Sequence, residues 1–134
     1  MRVLIAAALL LLAGCSMSAD TKLAEQAVTQ FHSTLDAGQF DSLYEHAADD
    51  LKNSTQRERF VAFVDAVHRK LGTYQSSTEK NWNISYHPTG TYVTLSYTST
   101  YAGGEANEEF VYRLEGQSAL LAGYHVNSDA LILK

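Results

Sequence analysis

Proton transfer in a small domain needs an Asp, Glu or His held beside a cavity. Asp65 and His68, three positions apart on the flank of one apolar helical stripe, are the residues of this chain best suited to that work. Trp82 and Tyr86 are aromatic residues that could line the mouth of the same pocket. An exposed helix flank and ordinary core aromatics have the same appearance, because Asp and His are mostly surface residues. The five histidines, His32, His46, His68, His87 and His125, fall on separate stretches with no His-x-x-x-His spacing and no cysteine partner, so no metal site is expected. There is no Gly-x-Ser-x-Gly turn and no phosphate-cradling loop; Gly103-Gly104 reads as a hairpin turn. No cofactor is expected, and the chain is read as a non-enzyme.

These side chains have to be held by elements whose periods are visible in the sequence. Leu23, Ala24, Ala27, Val28, Phe31 and Leu35 recur at spacings of three and four, which predicts a helix capped by Asp20 and stopped by Gly38. Asp41 would cap a second helix with Leu43, Tyr44, Ala47 and Leu51 on one face, ending near Asn53. Thr55-Gln56-Arg57-Glu58 has the capping-box pattern, followed by Phe60, Val61, Val64, Val67 and Leu71 up to Gly72. Beyond Gly72 the apolar period becomes two and the residues turn to Tyr, Thr, Val and Ser. Strands are expected near 74–86 (interrupted or bulged), 91–101, 108–115 and 119–127, joined by short turns at 87–90, 102–104 and 115–117. The fold class is α+β: three N-terminal helices packed on a curved four-stranded antiparallel meander.

Alternation sorts the sheet into two faces. Val93, Leu95, Tyr97, Tyr101, Phe110, Tyr112, Leu114, Ala122, Tyr124 and Val126 are expected toward the helices, and none of these is a carboxylate. The opposite face collects Tyr92, Thr94, Ser96, Thr98, Arg113, His125 and Asn127. That face reads either as a solvated outer surface or as a partner surface, since Tyr and Arg are favoured at binding hot spots.

The net charge is -5 at pH 7 and the basic residues are not clustered, which argues against nucleic acid as a partner. Cys15 is the only cysteine, so an intrachain disulfide is excluded and stability must come from packing. With 46% hydrophobic residues and one proline, the chain has the material for a single core.

Cys15 has a chemistry of its own. It follows Arg2, an apolar run from Val3 to Ala13, and Gly14; the run is far shorter than the ~20 residues of a spanning helix and reads as a signal peptide. Leu12-Ala13-Gly14-Cys15 resembles the lipobox of bacterial lipoproteins. The resemblance implies removal of residues 1–14, acylation of Cys15, a short tether over 15–20 and one domain over 21–134. Several acyl chains make a stable anchor, each buried methylene contributing roughly 0.8 kcal/mol. By the same resemblance Ser16, rather than Asp, after the cysteine implies an outer-membrane lipoprotein facing the periplasm. A free thiol after an ordinary signal peptide is the competing reading.

The order of three helices and a curved meander resembles the nuclear transport factor-like, or cystatin-like, cone fold. Leu35-Asp36-Ala37-Gly38-Gln39-Phe40, Arg69-Lys70-Leu71-Gly72 and Leu121-Ala122-Gly123-Tyr124-His125-Val126 are similar to segments of a family of small bacterial exported proteins of unknown function. Such proteins often carry Trp before the last strand, where this chain has Ser118-Ala119. The resemblance implies a space between helices and sheet that in some members holds small apolar ligands. The leading expectation is a non-catalytic envelope lipoprotein that binds a protein or a small apolar ligand. An immunity or inhibitor protein acting on a periplasmic toxin or hydrolase, an isomerase-like pocket enzyme, and pairing with a second copy of the chain are the competing expectations.

Overall fold

In the computed structural model, which describes the backbone of residues 15–133 and side chains from residue 19, the two long apolar stripes form the two long helices. α1 (Cys15–Asp36) buries Ala24, Val28, Phe31 and Leu35, and α4 (Arg57–Leu71) buries Phe60, Val64, Val67 and Leu71. Each stripe repeats every three or four residues, so its members face one side of a 3.6-residue turn. Gly38 and Gly72 close these helices at φ 73° and 78°, where a Cβ would be strained. The expected cap at Asp20 lies inside α1, and the expected signal peptide at 1–14 lies outside the described residues.

The three expected helices are corrected to four before the sheet, with a fifth after it. The second stretch divides into α2 (Phe40–Glu45) and α3 (Asp49–Ser54). Ala48 between them is extended, at φ -69° and ψ 157°, and its N–H donates to Leu121 O at 2.9 Å. The chain therefore gives up helical pairing to satisfy a carbonyl on the edge of the sheet. The capping box at Thr55 does not form: Thr55 is the C-cap of α3, its N–H bonded to Leu51 O, and α4 starts after Gln56.

Four strands follow: β1 (Tyr74–His87), β2 (Gly90–Tyr101), β3 (Gly104–Glu115) and β4 (Ser118–Asn127). They form an open antiparallel sheet in the order β1-β2-β3-β4. Pro88-Thr89, Ala102-Gly103 and Gly116-Gln117 are the tight connections. Gly103 also lets the second hairpin dock on the end of α4: its N–H donates to Leu71 O at 2.7 Å, and an added Cβ would lie 2.8 Å from that oxygen. β1 has two register shifts and is largely exposed, with Glu79 and Lys80 on it, as suits an unpaired edge. The short α5 (Asp129–Leu133), which the sequence pattern did not announce, packs against α4 and β3 and is held by Lys70 Nζ on Leu131 O at 3.0 Å.

The core lies between the helices and one face of the sheet. Val93, Leu95, Tyr97, Tyr101, Phe110 and Tyr112 point into it as expected. On β4 the expectation is corrected: Leu121 and Tyr124 are buried, whereas Ala122 is only half-buried. A register shift at Val111/Tyr112 places an extra residue on β4, so two side chains three positions apart face the same way. Among the described residues no helix is long and apolar enough to cross a membrane.

Candidate functional site

The core contains one carboxylate, Glu108, with 2% of its surface exposed. It shares strand parity with Phe110 and Tyr112, so alternation turns it inward. Ser99 Oγ and His32 Nε2 lie 2.6 and 2.9 Å from Oε1, and the hydroxyls of Tyr101 and Tyr124 donate to Oε2 at 2.7 and 2.6 Å. With Glu108 accepting, His32 presents Nε2–H, and its ring stacks on Tyr74 at 3.8 Å between centroids. Tyr74 hydroxyl donates to Ser77 Oγ, which lies 2.8 Å from Ser99 Oγ, extending the network to β1. Burial pushes the Glu108 pKa up, but the donors from His32, Ser99 and Tyr101 outweigh it and hold the group below the ordinary carboxylate value. Burial beside this charge pushes the Tyr101 and Tyr124 hydroxyls far up, so both remain donors.

Two clefts open along β4, and neither is lined by Glu108 or His32, although Tyr124 of the network lines the second. The first, about 490 Å³, lies between α1, α2 and the start of β4. Leu23, Ala27, Phe31, Leu43 and Leu121 give it apolar walls, Gln26, Gln30 and Gln117 give it uncharged polar groups, and its lining holds no Asp, Glu, Lys or Arg. Tyr112 belongs to this wall; its hydroxyl is buried and has no hydrogen-bonding partner. Burial raises its pKa well above the ordinary tyrosine value, so it offers a neutral donor. The second cleft, about 780 Å³, lies between α3, the start of α4 and the middle of β4.

The residues singled out in the sequence are dispersed. Asp65 forms an exposed helical pair with Arg69 at 3.3 Å. His68 Nδ1 stands 3.7 Å from Asp36 Oδ1, beyond hydrogen-bonding reach, near the end of α1. Trp82 and Tyr86 are exposed on β1, 46% and 67%. None of these four lines either cleft. On the outer face Tyr92 and Arg113 come together, but through an internal partner: Tyr92 hydroxyl donates to Asp50 Oδ2 at 2.7 Å and Arg113 Nη1 to Asp50 Oδ1 at 3.3 Å. The Tyr92 hydrogen bond is the main cause of a lowered Asp50 pKa, and Asp50 in turn raises that of Arg113. Thr94 and Ser96 remain half-buried beside them on β2, and His125 is exposed at the second cleft. Cys15 lies at the described start of α1, with its side chain outside the described set. Among the described residues no group of three or more His, Cys, Asp or Glu could hold a metal ion.

Sequence reasoning missed Glu108 and His32. Both were accessible: Glu108 alternates with Phe110 and Tyr112, and His32 is four residues after Val28 on the buried stripe.

Residues 27–124 match the family model described as "Protein of unknown function (DUF4019)", and the chain belongs to that family. No curated protein matches the chain. A solved structure of a protein from Catenulispora acidiphila, at 2.5 Å, is similar with a TM-score of 0.55 and 15% identity, covering 89% of this chain and 98% of that one. At that identity the likeness extends to the fold alone.

Proposed function

We propose that this member of the DUF4019 family is a lipid-anchored, non-catalytic binding domain of the bacterial envelope, with a cone of the nuclear transport factor-like type. Its cleft between α1 and the start of β4 receives a small uncharged, largely apolar ligand. The observation that carries this reading is Tyr112, which lines a cleft free of Asp, Glu, Lys and Arg and whose buried hydroxyl has no hydrogen-bonding partner. A buried hydroxyl left unpaired costs about 1–3 kcal/mol, which a ligand carbonyl, ether or hydroxyl would offset. The cleft volume is in the range of small-molecule sites, roughly 300–1,000 Å³. A binding rather than catalytic role is supported by the placement of Glu108, which lines neither cleft and whose oxygens are occupied by four protein donors.

Analysis of organic extracts of the purified full-length protein tests the ligand. A small neutral molecule should accompany the wild type and be lost from Tyr112→Phe, while that variant keeps or gains stability because the unpaired hydroxyl is gone. Absence of such a molecule from the wild type, or equal retention by the variant, overturns the cleft assignment. The anchor is tested separately: palmitate label and membrane association should both disappear in Cys15→Ser, and persistence of either removes the lipid from the reading.

A further inference from the structure

The second cleft differs from the first in charge. Of the four arginines with described side chains, Arg57 pairs with Asp41 and Glu45, Arg69 with Asp65, and Arg113 with Asp50. Arg59 alone has no carboxylate within pairing distance, and it lines the cleft between α4 and β4. That lining contains no Asp or Glu, in a chain with 15 acidic residues. From β4 the lining takes the exposed His125 and the half-buried Ala122 and Gly123 at the bulge. The rest of the lining is uncharged: Ser54, Thr55 and Gln56 are polar, and Leu51, Phe60, Tyr124 and Phe63 are apolar or aromatic, Phe63 being 41% exposed despite its size. Phe63 and Tyr124 lie 6.0 Å apart between ring centroids, so they form one continuous aromatic surface.

We propose that this cleft binds a small organic carboxylate carrying an apolar or aromatic body. A guanidinium with no internal partner presents a planar fork of donors that matches a carboxylate in two parallel hydrogen bonds. The absence of any acid from the lining means that an entering anion meets no repulsion there, although the protein as a whole repels anions. Phe63 and Tyr124 give the ligand body a surface to cover, removing apolar area from water. One fixed positive charge fits one negative charge, which selects a monoanion over a phosphate or a polyanion. This site is separate from the α1 cleft and does not depend on its occupant.

Calorimetric titration of the full-length protein with 3-phenylpropanoate, and with its uncharged amide 3-phenylpropanamide, tests the proposal. The carboxylate should bind saturably and the amide at least ~10-fold more weakly, as expected for a charge-assisted hydrogen-bonded pair. Arg59→Gln should weaken the carboxylate by a similar factor and leave the amide unchanged; Phe63→Ala should weaken both. Arg59 is exposed and makes no internal ion pair, so circular dichroism should show Arg59→Gln folded as the wild type. Equal binding of carboxylate and amide, no saturable binding, or an unchanged Arg59→Gln overturns the site. So does binding confined to a peptide with a free C-terminal carboxylate, because the occupant would then be a protein chain.

Discussion

Glu108 and Asp50 grip opposite faces of the same sheet with similar partners, and burial makes them different devices. Glu108 accepts from two tyrosine hydroxyls and Asp50 from one, and each has a nitrogen donor far away in sequence, His32 and Arg113. The Glu108 side chain is wholly buried, whereas a third of Asp50, 33%, faces water. In the core the carboxylate has no solvent to fall back on, so each of its donors is required; at the surface, water replaces any donor that leaves. The comparison also separates structure from chemistry. An acid beside a histidine looks catalytic, yet the four donors to Glu108 are protein groups that tie α1, β2, β3 and β4 together, and only Tyr124 among them also lines a cleft.

The largest expected effect follows from removing Glu108. Glu108→Ala takes the carboxylate from four donors, leaves those of His32, Tyr101 and Tyr124 unpaired, and should cost about 3–5 kcal/mol in urea unfolding, the usual penalty for breaking a buried charged pair. Its pH dependence has a definite sign. The folded-state pKa of Glu108 lies below the ordinary 4.5, so its stabilisation is whole above the unfolded value and is lost as pH falls through the folded one. The stability gap between wild type and Glu108→Gln should therefore narrow in that acidic window. A gap that widens with acid would show that the buried group is held neutral.

Next come the hydroxyls. Tyr124→Phe and Tyr101→Phe each remove one of the two donors to Oε2 and keep the ring packing, so each should cost about 1.5–3 kcal/mol, the range for hydrogen bonds to a charged group. Because both serve one oxygen, the double variant should depart from additivity, measurably by a double-mutant cycle. Additive losses would mean that the two hydroxyls act independently of the carboxylate.

The sequence displayed the supports of this network better than the network itself. Val28, Phe31 and Leu35 place α1 by spacing alone, and Val93, Leu95 and Tyr97 place β2. Glu108 was hidden because a charged residue near the end of a strand looks like an edge position, and the partners that make its burial tolerable lie 7 to 76 residues away. Leu121 was missed because the bulge beside it shifts parity, which no period-two pattern can contain. Asp50 falls in a helix that the apolar pattern ran together with α2, since the pairing of Ala48 with Leu121 that divides them is a tertiary event. The clefts were not legible for the same reason: Tyr112 with Gln30, or Arg59 with His125, become neighbours only after the helices dock.

The smallest effect belongs to the outer face. Asp50→Asn keeps a hydrogen-bond acceptor for Tyr92 and removes the charge beside Arg113, so it should cost no more than about 1 kcal/mol, as exposed and half-exposed pairs do. The cost should shrink further in salt, because counterions within a Debye length of about 8 Å screen a pair that water reaches, while the loss in Glu108→Ala should barely respond. Measuring both variants at 0.05 and 0.5 M salt puts the two carboxylates on one scale. If Asp50→Asn proves as costly and as insensitive to salt as Glu108→Ala, the outer face is as sealed as the core. Tyr92 and Arg113 would then be fixed structural contacts, closed to any partner that approaches the sheet from outside.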